Sequence, residues 1–163
     1  MVNETAIDIQ NATELSQEEL IERVVRLGFG GDWERYDTFV AKLRAGLPEG
    51  TEVALRGSVV TNERHNGGCF DEGGPGTSDL DVTLIGKEVM DLWDKGYFYV
   101  PRVNTKPLSD EQPEAAPALN DLRMALQEIA GRPVNFQAMS ELFLEGRERL
   151  ADQPYVKIIE GEG

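Results

Sequence analysis

Apolar residues recur at intervals of three and four along the first third of the chain and at intervals of two in several short stretches further on. The first series, Leu20, Ile21, Val24, Val25 and Leu27, keeps helical spacing until Gly28. Ser16 followed by Glu19 forms a capping box in front of it, so a short amphipathic helix is expected there. After Gly30-Gly31, Asp32 is placed to cap a second helix whose apolar stripe is Trp33, Tyr36, Phe39, Val40 and Leu43 and which ends near Gly46 and Pro48. Aromatics at that spacing are read as core. Residues 1 to 13 show no periodicity and are read as a loose lead-in.

The period then changes. Thr51 to Leu55 reads as a strand that runs straight into Arg56-Gly57-Ser58. Between Val60 and Thr77 lies a glycine-rich segment with almost no large apolar residues, which predicts a long loop. Long ordered loops in compact domains are usually functional or mobile, so this one is a candidate flap. Leu80 to Ile85 alternates up to Gly86 and predicts a second strand, followed by a short helix over Glu88 to Asp94. Residues 97 to 118 read as a strand stub and loop. Pro117 stands in the first turn of a helix carrying Leu119, Leu122, Met124, Leu126 and Ile129, which Gly131 and Pro133 end. Val134 to Met139 predicts a third strand, Ser140 and Glu141 open a last helix through Leu150, and Pro154 to Ile159 offers an edge strand. The expected fold class is therefore α/β (α+β), one domain over residues 1–163 with a small mixed β-sheet flanked by helices.

Composition narrows the partners. Sixteen basic against thirty acidic residues give a formal charge of −14, which opposes binding to long nucleic acid, whereas a mononucleotide arriving with divalent cations meets no such barrier. No apolar run approaches the roughly 20 residues that span a bilayer, and the N-terminus lacks the features of a signal peptide, so a cytoplasmic location with no membrane partner is expected. Cys69 is the only cysteine and His65 the only histidine, which leaves no thiolate cluster and no second histidine for a metal. His65 reads as a solvated side chain. Trp93 and Tyr97 to Tyr99 read as core or subunit contact, and Arg102 and Lys106 as surface ion-pair partners.

The chemistry concentrates at two places. Asp79 and Asp81 are two residues apart at the start of a strand, so both carboxylates face the same side and can reach one cation. Mg²⁺, or Mn²⁺ in its place, suits such a site, since hard divalent ions take one or two carboxylates and leave other positions to water and phosphate. Gly57 lets backbone come close to a ligand, and Ser58 adds a small hydroxyl suited to phosphate oxygens. Thr77 and Ser78 either add hydroxyls to the same nucleotide-binding site or simply make the turn.

With these residues in place, the strand TEVAL running into RGS, followed by GTSDLDVTLIG, resembles the DNA polymerase β-like nucleotidyltransferase superfamily, mainly over residues 51 to 86. The resemblance implies that Asp79 and Asp81 are the catalytic, metal-binding pair and that Gly57-Ser58 contacts the triphosphate. It implies a Mg²⁺-dependent nucleotidyltransferase, carrying a nucleoside monophosphate from a nucleoside triphosphate to a small-molecule or protein acceptor. Two features depart from the family's pattern. The segment Thr61 to Gly76 is an insertion, whose Asp71 and Glu72 are further candidate acids, and Asn135 stands where a third carboxylate is expected. An amide ligates through its oxygen but adds no charge, so the alternative is a catalytically degenerate nucleotide-binding or interaction protein on the same fold.

Overall fold

The computed structural model describes residues 11–62, 69–74, 76–151 and 154–160. The expected lead-in falls partly outside them, as do His65 with the rest of residues 63–68, and residue 75, of the central glycine-rich stretch. What is described of the lead-in is ordered: Asn11 caps a 3-10 turn over Ala12–Glu14, and Ala12 is buried in the core.

The capping box at Ser16 forms as its residues dictate, with the Ser16 hydroxyl and Glu19 backbone joined at 3.1 Å and the Ser16 backbone and Glu19 carboxylate at 2.9 Å. It opens α1 (Gln17–Phe29), which Gly30 ends at φ 63°. Asp32 caps α2 (Trp33–Gly46) through the Arg35 amide. Tyr36, Phe39 and Leu43 are buried as their spacing predicts. Trp33 departs from the expected core stripe. It occupies the first helical position, where the edge-on Tyr36 ring at 5.9 Å covers one side and half of its surface stays exposed.

Six strands make one sheet in the described residues: β1 (Glu52–Arg56), β2 (Leu80–Ile85), β3 (Phe98–Val100), β4 (Asn104–Thr105), β5 (Val134–Met139) and β6 (Tyr155–Ile159), in the spatial order β3-β4-β5-β2-β1-β6. The sheet is mixed. β2 and β5 run parallel, and the other neighbours are antiparallel. Between the strands lie α3 (Ser58–Thr61), α4 (Lys87–Met90), α5 (Pro117–Ala130) and α6 (Glu141–Ala151). The expected helix over Glu88 to Asp94 is shorter than its sequence suggests. From Leu92 the backbone bonds tighten to i→i+3, and Trp93 turns inward to donate its ring N–H to the Lys106 carbonyl at 2.9 Å.

Val53, Leu55, Leu80, Val82, Leu84, Val134 and Phe136 face one side of the sheet and join the buried residues of α1, α2 and α5 in the main core. In α5, Met124 is 47% exposed and the core position at that level belongs to Arg123, which is 1% exposed. At ~100° per residue, Arg123 lies about 40° from Leu119 around the helix and Met124 about 140°. Arg123 is tolerated there because its guanidinium donates to Asp110, Asn120, Gln127 and the Val134 carbonyl. Across the sheet, α6 lays Leu144 and Phe143 over Ala54, Ile85 and Met139 in a smaller cluster. No helix among the described residues is long and apolar enough to cross a membrane.

Candidate metal and nucleotide site

The register lines up three side chains in one row across three strands: Arg56 on β1, Asp81 on β2 and Asn135 on β5. Directly paired residues share a face, so all three project toward the face that carries α6. Asp79 precedes β2 by one residue. The Asn135 amide nitrogen lies 3.0 Å from Asp79 Oδ2 and 3.5 Å from Asp81 Oδ1, bridging the two carboxylates. The structure thus brings together Asp79, Asp81 and Asn135.

Gly57 completes this end of the sheet. Its backbone, at φ 79° and ψ −154°, lies in a region that side-chain-bearing residues rarely adopt, and a Cβ built there would sit 2.6 Å from Asp81 Oδ2. Only glycine leaves that oxygen its place. Ser58 follows as the first residue of α3 and is half-buried.

Arg56 gave no signal in the sequence beyond its place before Gly57. Its Nε donates to Thr83 Oγ1 at 2.7 Å and its Nη2 to Gln137 Oε1 at 2.8 Å, while Gln137 donates in turn to the Thr105 carbonyl at 2.7 Å. A small cavity of about 60 Å³ is lined by Arg56, Asp81, Asn135 and Gln137. Burial pushes the Asp81 carboxyl above the usual carboxylate range, with Asp79 adding to the effect and Arg56 and the Asn135 hydrogen bond opposing it. Burial and then the approach of Arg147 from α6 weaken the hold of Arg56 on its proton, and Asp81 opposes them. Both residues are therefore desolvated charges that face each other. A wider groove of about 760 Å³ opens at the opposite strand ends beside Arg44, Glu49 and Glu52. The small cavity is the better candidate because it adjoins the Asp79–Asp81–Asn135 cluster and is lined by Asp81 and Arg56, the two side chains whose proton affinity burial shifts there.

The expected acids of the insertion divide. Asp71 is engaged by Arg132, with Nη1 to Oδ1 at 2.7 Å and Nη2 to Oδ2 at 2.9 Å, and it also accepts the Ser78 amide at 2.9 Å and the Gly76 amide at 3.3 Å. Two bonds on each oxygen use its acceptor capacity, which leaves no lone pair for a cation. Glu72 is exposed. Ser78 is buried, and its hydroxyl accepts the Asp71 amide at 2.8 Å, so its side chain serves the turn. Arg132 also lies over the Phe70 ring at 4.7 Å and donates to the Gly28 carbonyl at 3.1 Å, pinning the base of the loop to α1.

The donor set can be weighed against a divalent ion. Among the described residues no three acidic, histidine or cysteine side chains gather as a metal cluster. Two carboxylates, an amide able to turn its oxygen toward them, and a glycine that keeps Asp81 Oδ2 accessible suit one hard cation completed by water and phosphate. No protein-family model, curated protein or solved structure matches the chain.

Proposed function

We propose that the protein is a Mg²⁺-dependent nucleotidyltransferase that moves a nucleoside monophosphate from a nucleoside triphosphate to a small-molecule or protein acceptor. The observation that carries this reading is the convergence of Asp79, Asp81 and Asn135 beside Gly57, at one end of the three central strands. In this reading Asp79 and Asp81 hold the cation, Asn135 contributes its amide oxygen, and the Gly57-Ser58 turn receives the phosphates. Once bound, the cation neutralises phosphate charge and makes pyrophosphate a better leaving group. The acceptor oxygen forms a bond to the α-phosphorus, the bond from that phosphorus to the pyrophosphate oxygen breaks, and the acceptor's proton passes to solvent. The protein's part is largely positioning, which fits a site anchored on three adjacent strands. With a formal charge of −14, a small or protein acceptor is favoured over a long polyanion.

The test supplies Mg²⁺ or Mn²⁺ with each labelled nucleoside triphosphate and follows pyrophosphate release and labelling of candidate acceptors or of the protein itself. Turnover that disappears in Asp79→Ala supports the reading, and no release or labelling under any condition overturns it.

One observation favours a second reading. The Asn135 amide nitrogen already bridges both carboxylates, as a cation would, and so offsets their repulsion without a metal. A degenerate nucleotide-binding or interaction protein on this fold would look like this. Calorimetry separates the two: nucleotide binding that persists in Asp79→Ala, with no turnover in the unaltered protein, supports the degenerate reading.

A further inference from the structure

We infer that this site takes a single divalent cation and that the Arg56 guanidinium supplies the positive charge which a second ion would bring to the substrate's phosphates. The inference rests on the nucleotidyl-transfer reading above and gives it a charge distribution. Two observations carry it.

The first is the row itself. Arg56 and Asp81 are directly opposed on β1 and β2, and Asn135 is directly opposed to Asp81 on the other side. A second cation near Asp81 would meet a neutral amide on one flank and a fixed cation on the other. Two carboxylates at −2 and one guanidinium at +1 leave a net charge of −1, enough for one divalent ion but a poor host for two.

The second is that Arg56 is held in place. Thr83 Oγ1 takes its Nε and Gln137 Oε1 takes its Nη2, both on the site's own face, and Gln137 is fixed by the Thr105 carbonyl. Its Nη1 has no hydrogen-bond partner among the described residues, and the guanidinium lines the same small cavity as Asp81 and Asn135. A preorganised fork with donors left over is the form in which arginine binds phosphate.

The experiment counts bound Mn²⁺ by equilibrium dialysis and measures binding of inorganic tripolyphosphate by calorimetry at saturating Mn²⁺, which removes dependence on the base. The unaltered protein is expected to bind one Mn²⁺ per chain, and Asn135→Asp two. Arg56→Met, checked by circular dichroism for folding, keeps its Mn²⁺ while tripolyphosphate binds about tenfold more weakly, the loss of one charge-assisted contact. Arg56→Lys, which keeps the charge without the fork, recovers part of that loss. Two Mn²⁺ per unaltered chain, or tripolyphosphate affinity unchanged in Arg56→Met, overturns the inference while leaving nucleotidyl transfer intact. No bound Mn²⁺ at all overturns both.

Discussion

Gly57, one residue past the end of β1, lies so close to Asp81 on β2 that a Cβ on the glycine would fall 2.6 Å from Asp81 Oδ2. Gly57→Ala must therefore displace the carboxylate and force alanine into backbone near φ 79°. A loss of about 2 kcal/mol in urea-unfolding free energy is expected from the backbone alone. Mn²⁺ should also cease to raise the Tm of the variant, because Asp81 has moved; an unchanged Mn²⁺-induced shift would refute the link between the glycine and the site.

Asp81→Asn is expected to separate stability from binding. Burial holds the Asp81 carboxyl above its ordinary range, so the ionised form is disfavoured where it sits. Replacing it by a neutral isostere should raise stability by about 1 kcal/mol near neutral pH. The same variant should lose Mn²⁺ binding. Thermal unfolding with and without the ion checks both, and a less stable variant would contradict the first part.

The Asp71–Arg132 pair predicts an acid-sensitive loop. Burial alone would raise the Asp71 carboxyl, but the Arg132 and Ser78 hydrogen bonds outweigh it and hold the group below the usual carboxylate range. A carboxylate depressed in the folded state stabilises it above the unfolded value, near 4. That contribution fades as pH falls below about 4 toward the lower folded value. Asp71→Asn should therefore be less stable than the unaltered protein at pH 6 and converge with it at low pH. A stability gap that stays constant down to the acid transition would argue against the pair.

Arg123→Met tests whether the buried guanidinium is structural. Its removal takes a donor from the Val134 carbonyl and one of two donors from Gln127 Oε1, which keeps the Val134 amide, while Asp110, whose side chain is 60% exposed, can turn to water. A loss of about 2 kcal/mol is expected in denaturant unfolding, less than for a fully buried ion pair. Activity assayed well below the Tm should change little, since Arg123 does not line the cavity.

What the sequence discloses here follows from the range over which its signals act. Leu80–Ile85 and Val134–Met139 appear with the bounds their alternation and flanking Gly and Pro residues predict, because a strand's period is a local property. β3 and β4, with three and two residues, are too short to show a period. Asp79 and Asp81 can be picked out because a two-residue spacing at a strand start puts both carboxylates on one face, and Gly57 because a glycine at a strand end lets backbone approach a ligand. Arg56 and the bond from Asp71 to Arg132, 61 positions away, cannot be read in this way, since long-range register decides both. Arg123 shows another limit: the helical period marks its position as inward-facing, but only the tertiary fold shows that polar partners await it there.

The parallel pairing of β2 with β5 has a consequence for how the protein assembles. Asp81 and Asn135 are 54 positions apart, and a parallel neighbour cannot be reached by a tight turn, so these two meet only after the intervening chain has crossed the sheet and packed through α5. β1 and β2, by contrast, are antiparallel neighbours with a shorter connection. Closing the longer loop costs more chain entropy and slows formation of the contact. A divalent ion held, as proposed, by Asp81 and Asn135 together would then report completed folding: it would bind the native state and not a half-built one, and slow unfolding more than it speeds folding.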